Sequence, residues 1–288
     1  GTAVSAGEWS FLGETVRSSK HDWRPVGMSD AWLAELHGFD WLRDLRAVGG
    51  DAARRRARDL VRDWIENQAS WQEIVWRPDV LATRLFAWLG QHDFFCASAD
   101  DDYRQRYLAT IARQARHLGR VLPGGVEGDG LIRAAKGLTM AGLALPGNEA
   151  AIRQGLKTLE RACDRQILPD GGHVSRNPQT QARVLRDLVD VRSALLAAEH
   201  DIPAFLLGAI DRAAPFLRML RHNDGRLALF NGSAESEDWL IDMLLAQADA
   251  RGRAPASAPH TGFERIVVNR TVVLLDTGAP PQAGLDIG

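Results

Sequence analysis

The chain has 288 residues, 45% of them hydrophobic, enough to bury a large core in one or two domains. Its formal net charge of −2 builds in no global attraction to nucleic acid. Lysine occurs only at Lys20, Lys136 and Lys157, so the basic charge is nearly all arginine, whose forked donors suit carboxylates and sulfates. Cys96 and Cys163 lie far apart in apolar helical contexts and read as buried free thiols, with no zinc spacing. No apolar run reaches membrane-spanning length.

Residues 1–28 read as irregular, anchored by Trp9, Phe11 and Trp23, although GEWSFLGE alternates like a short strand. From Ser29, a plausible N-cap, DAWLAELHGFDWLRDLRAVG is helical, with Trp32, Leu36, Phe39 and Leu42 at three- and four-residue steps. Gly49-Gly50 end it and Asp51 opens a second helix whose arginine run reads as a solvated face. Pro78-Asp79 open a third helix, DVLATRLFAWLGQHDFF, and a fourth runs from about Asp101 to Leu122. Leu131 to Leu145, apolar and rich in alanine and glycine, predicts an inner, closely packed helix. Asn148 to Ile167 predicts the next.

The stretch ILPDGGHVSRNPQTQARVLRDL, Ile167 to Leu188, interrupts this pattern. Pro169, Asp170 and Gly171-Gly172 predict a tight turn, and Pro178 starts a new helix. Between them lie His173, Ser175, Arg176 and Asn177, at the mouth of a helix whose N-terminus favours anions. The bland reading is a polar loop in which Asn177 is only an N-cap. The functional reading makes His173 a base, because an unperturbed imidazole titrates near neutrality, and Arg176 a carboxylate clamp.

Helices near 178–199 and 203–222 follow, then a turn at Asp224-Gly225, a strand-like RLALFNG and a helix near Glu235–Ala250. RGRAPASAP is linker chemistry. GFERIVVNRTVVLLDTG then reads as two β-branched strands joined at Asn269-Arg270 and ended by Ala279-Pro280-Pro281. Two strands make no independent unit, so they read as the start of a β domain in a longer protein. Antiparallel helix pairs in series, without a fixed-period repeat, predict a mainly α chain: an incomplete α/α toroid over 1–250, a linker over 251–261, and the first strands of a truncated antiparallel β-sandwich over 262–288. Of the nine tryptophans most read as core anchors. Trp76-Arg77-Pro78 joins an indole face to a guanidinium in a loop, as an acidic sugar site would require.

Taken together and in order, FDWLRDLRAVGG, WRPDVLATRL, LIRAAKGLTMAGLALPG, DGGHVSRNPQTQ and RHNDGRLALFNG resemble the heparinase II/III-like family. The resemblance implies an α/α toroid followed by a β-sandwich, a periplasmic or cell-envelope setting, and β-elimination on uronate-containing polysaccharides. It implies no cofactor within this stretch and leaves room for a metal site in the remainder of the sandwich. Such chemistry needs a group neutralising the uronate carboxylate, a base for the C5 proton and an acid for the leaving O4. Two departures stand against the family pattern. Ser175 and Thr180 stand where family lyases carry a glutamate and a catalytic tyrosine, and Asp129-Gly130 stand where an Asn-His pair opens the inner helix. A threonine hydroxyl is far too weak an acid to replace a phenol near neutral pH.

The resulting candidates are His173, Arg176 and Asn177 for catalysis, with Trp76, Arg77, Arg84, Glu127, Asp129, Gln181 and His222 for binding an acidic polysaccharide. His173, Arg176, Asn177 and Gln181 are expected to line the same concave surface as Trp76, Arg77 and Arg84. Two functions of different class follow: a polysaccharide lyase, or a noncatalytic glycan-binding or envelope protein that kept the toroid after losing the tyrosine. A glycosidase would need two opposed carboxylates, and Glu127 and Asp129 share one loop.

Overall fold

The computed structural model describes residues 4, 6–17, 22–68, 70–235 and 237–279. It is mainly helical, with a small antiparallel sheet near its C-terminal end. The chain divides into two compact units, residues 1–126 with 137–155 and residues 127–136 with 156–288. The last strands group with the helices that follow residue 156.

The first unit opens with a hairpin where the sequence reads as irregular: β1 (Glu8–Phe11) pairs with β2 (Glu14–Arg17) around Leu12-Gly13. Both turn residues have positive φ, the geometry of a two-residue hairpin loop. The first expected helix is two, α1 (Asp30–Gly38) and α2 (Leu42–Val48). Ser29 caps α1 by accepting the Trp32 N–H. Phe39, at φ 62°, turns the chain out of the helix and sets its ring against Trp23, Trp41, Trp64 and Trp88 at centroid distances of 4.7–6.0 Å. The tilted and edge-to-face pairs of this cluster each contribute about 0.5–1.5 kcal/mol beyond area burial. On α3 (Gly50–Asn67), Ala53, Ala57, Leu60, Val61 and Trp64 form the buried stripe, and the arginines lie off it.

A short α4 (Glu73–Trp76) precedes α5 (Pro78–Gly90), which Pro78 opens as expected; α6 (His92–Cys96) and α7 (Asp101–Val121) follow. The inner helix is α8 (Gly128–Ala144), with α9 (Glu149–Gln166) after it, and the division between units passes through both. A Cβ on Gly137 would lie 2.4 Å from that of Ala82, and one on Gly142 2.7 Å from Cγ1 of Ile152, so α8 tolerates only glycine at these contacts. Cys96 and Cys163 are free and buried.

In the second unit, α10 (Pro178–Ala197), α11 (Ala204–Met219) and α12 (Asp238–Ala248) pack on one another. The strand expected at RLALFNG is not formed: only an isolated bridge joins Arg221 and Leu227. β3 (Ser257–Ala258), β4 (Phe263–Val268) and β5 (Thr271–Asp276) form one antiparallel sheet, with Val268 facing Thr271 across the expected Asn269-Arg270 turn. Phe263 anchors it against Phe216 and Phe230, at 6.0 and 5.5 Å. The far end of the hairpin, Ile266, Val267, Val268, Val273 and Leu275, is exposed.

Candidate functional site

The loop after α9 is built around its glycines and Asp170. Gly171 has φ 88°, and a Cβ there would sit 2.0 Å from the Arg212 carbonyl oxygen. Asp170 Oδ1 accepts the Gly172 N–H at 3.2 Å, while Oδ2 accepts from Thr261 N and Oγ1 at 2.7 Å and from His260 N at 2.9 Å. One carboxylate thus ties the turn to the segment entering β4.

His173 is buried, and both ring nitrogens are engaged. The Ser175 backbone N–H donates to Nδ1 at 3.1 Å, so Nδ1 carries no proton, and Ser175 Oγ lies 2.8 Å from it. Nε2 therefore holds the proton and donates to Gln166 Oε1 at 2.9 Å. Burial pushes the imidazole down to about 4, with Asp129 raising it and Arg183 lowering it to lesser extents. Gln181 is equally committed: Oε1 accepts the His173 N–H at 2.7 Å, and Nε2 donates to the Gly171 and Ala213 carbonyls at 3.0 and 3.2 Å.

Arg176 lies in the left-handed region at φ 58°. Its guanidinium pairs with Asp276, donates to the Ala279 carbonyl and sits 5.5 Å from the Phe263 ring centre. It clamps the strand end instead of presenting a fork to solvent. Asn177 caps α10 through the Thr180 N–H at 2.9 Å, accepts from Ser233 Oγ at 3.1 Å and donates to the Asn231 carbonyl at 2.9 Å. Thr180 is buried, its hydroxyl oxygen accepting from Arg183 at 2.9 Å.

At the opening of α8, Asp129 accepts from Arg133 at 2.9 Å and pairs with Arg183 at 3.4 Å. Two turns further in, Lys136 Nζ donates to Asp187 at 2.8 Å and Asp190 at 2.5 Å. Burial alone would lower the Lys136 amine, but the two carboxylates outweigh it and hold it above its ordinary value. An ion lattice thus joins α8 to α10. Sequence reasoning missed Arg133, Arg183, Asp187 and Asp190; their three- and four-residue spacings were the available signal.

Arg84 is fully buried and donates to Gln114 Oε1, the His37 carbonyl and the Val75 carbonyl at 2.7, 2.9 and 3.0 Å, above the Trp64 ring. It reaches no surface and lines no cleft. Trp76 is a buried anchor whose indole donates to the Ser70 carbonyl at 2.8 Å and meets His117 edge-on, and Arg77 forks onto Asp79 at 2.7 and 2.9 Å. Their local partners account for the sequence pattern without a sugar. Glu127 is exposed just before α8, and His222 is exposed in its turn. Tyr103 and Tyr107 are core side chains, and burial raises both phenols. Among the described residues, no group of three or more His, Cys, Asp or Glu could hold a metal ion, and no helix is long and apolar enough to cross a membrane.

Two buried histidines make the fold acid-sensitive. His37 accepts the Trp64 indole N–H on Nδ1 at 3.1 Å, and burial, with Arg84 adding to it, pushes its imidazole down to about 3. With folded values below the unfolded 6.5, the unfolded chain binds the extra protons, so this stability is complete above pH 6.5 and is lost as pH falls from there toward 4. Urea unfolding should weaken by about 1.4 kcal/mol per pH unit for each histidine across that window. A flat profile between pH 6.5 and 5 would contradict the burial of both rings.

Residues 14–248 match the Heparinase II/III N-terminus family. FtsZ-localized protein C of Caulobacter vibrioides is 33% identical over 261 residues, 90% of this chain and 45% of that protein. Heparinase III matches in structure with a TM-score of 0.71 at 19% identity, over 93% of this chain and 48% of the other. Heparan sulfate lyase HepC from Pedobacter heparinus matches with a TM-score of 0.66 at 14% identity, over 95% and 49%. The chain therefore spans about half the length of these proteins. The structural matches establish the fold class expected from the sequence, α/α-toroid helix pairs followed by antiparallel strands. With the family match spanning most of the chain, the conclusion is direct: this protein belongs to the Heparinase II/III N-terminus family.

Proposed function

We propose that this protein is a noncatalytic member of the family, using the inherited helical fold to bind instead of cleaving a uronate polysaccharide. The observation that carries this reading is His173, buried and with both ring nitrogens bound to Gln166 and Ser175. A general base must reach the proton it removes, and this one faces its own loop. The rest of the inherited position supports the same reading. Thr180 replaces the phenol, Arg176 holds Asp276, and Asp129 holds Arg133 where the base and carboxylate neutraliser would stand.

The kinship with FtsZ-localized protein C gives the setting: we infer that this protein too is localised with FtsZ. The lyase reading remains the competitor, and the two part cleanly. Full-length protein incubated with a panel of uronate polysaccharides should give no rise in unsaturated-product absorbance, and a fluorescent fusion should follow labelled FtsZ. Turnover of any of these glycans, abolished by His173→Ala, would overturn the noncatalytic reading; a fusion indifferent to FtsZ would overturn the localisation.

A further inference from the structure

The turn His222–Arg226 and the start of α12 carry a surface that none of the preceding roles uses. The turn closes on itself, His222 N–H to the Arg226 carbonyl at 2.9 Å and Gly225 N–H to the His222 carbonyl at 3.1 Å. Arg221 fixes it to α12, donating to the Gly225 carbonyl at 2.9 Å and to Asp242 at 2.7 Å. Beside it lies a cavity of about 330 Å³ lined by His222, Asp224, Arg226, Leu227, Leu229 and Glu235. That is the small end of the range for ligand pockets, room for a side chain or two.

The apolar groups here are not core residues at the surface by accident of packing. On α12 the inward face is Ile241, Leu244, Leu245 and Ala248. Trp239 and Met243, four residues apart on the outward face, are 57% and 45% exposed, and Leu229 at the cavity is 56% exposed. An exposed tryptophan is a common anchor of protein interfaces. The charge around it is mostly acidic. Asp224, Glu235, Glu237 and Asp238 are exposed, and among the described residues none of the four has an ion-pair partner. Arg226 is the single arginine or lysine lining the cavity.

We propose that this surface docks a basic segment of another protein, an arginine- or lysine-bearing peptide with an apolar side chain that enters the cavity beside Leu227 and Leu229. The carboxylates of Asp224 and Glu235 would receive the cation, and Trp239 would cover it. The same rim repels uronates and sulfates, so the surface selects against the acidic glycans that heparinases are named for. The inference stands apart from the lyase question.

The test is fluorescence polarisation of the chain with a labelled peptide alternating arginine and leucine, beside its glutamate–leucine counterpart. The arginine peptide should bind, its counterpart should not, and added salt should weaken the binding. Glu235→Lys combined with Asp224→Lys, and separately Trp239→Ala, should each weaken it by about tenfold or more. All three positions are exposed, and circular dichroism would verify that the variants stay folded. Absence of binding, unchanged affinity in both variants, or equal binding of the glutamate peptide would overturn the proposal. So would concentration-dependent self-association abolished by Trp239→Ala, which would make a second copy of the chain the occupant.

Discussion

Arg84→Ala should cost this protein about 3 kcal/mol or more of unfolding free energy in urea, among the largest losses available to one side chain in the first unit. The guanidinium is fully buried, and among the described residues no carboxylate is a hydrogen-bond partner. It donates to one amide oxygen and two backbone carbonyls, and burial pulls its pKa down to about 9. Hydrogen bonds from a charged donor contribute about 1.5–3 kcal/mol each. Truncation removes three of them, leaves the His37 and Val75 carbonyls dry, and opens a cavity under Trp64. Against this stands relief from burying a charge, so the effect is well below the simple sum. Two controls separate these contributions. Arg84→Lys keeps the charge but cannot fork to three acceptors, and should lose nearly as much as alanine. Arg84→Met fills the space without charge and should lose less. A loss below about 1 kcal/mol for alanine would show that charge burial cancels the hydrogen bonds and that Arg84 holds nothing together.

Gly171→Ala should be worse still. The added carbon would lie 2.0 Å from the Arg212 oxygen and 2.4 Å from its carbonyl carbon, in a residue at φ 88°. Neither atom is the end of a flexible side chain, so α11 or the loop must move. Strain from the backbone angle alone costs about 1–3 kcal/mol, and with the displacement the loss should reach about 4 kcal/mol or more. Gly147→Ala isolates the first part: its φ is 72°, yet nothing lies within 4 Å of the added carbon. That variant should lose only about 1 kcal/mol. Equal losses in the two variants would mean that the contact with Arg212 is not tight in solution.

These two residues also mark where the sequence was readable and where it was not. The Asp-Gly turn, the Asn177 cap, the Pro78 start and the close-packed glycines of α8 are local rules, and each appears where its residues predict it. Arg84 follows no local rule. An arginine on a helix reads as a surface or ligand group, and only tertiary structure supplies the two carbonyls and the Gln114 amide that explain its burial. Phe39 and Arg176 misled for a related reason: both adopt positive φ without being glycine, so neither bend was signalled. At the candidate site the sequence located the loop and the substitutions Thr180 and Asp129 but could not give the direction of its polar groups. His173, Asn177 and Gln181 have the composition of a site and the connectivity of a brace.

Asp170 also bears on the order of folding. Its Oδ2 accepts from residues 90 and 91 positions later in the chain, while Oδ1 holds its own turn. An emerging polypeptide can form the helices on either side of the turn early, from local contacts, but cannot complete this carboxylate's bonds until the His260-Thr261 segment has left the ribosome. Closing so long a loop is entropically costly and slow compared with helix formation. The amides of Gly172, His260 and Thr261 should therefore gain protection from hydrogen exchange together and late, as one cooperative event, even though the first belongs to the helical part of the sequence and the other two to the strands.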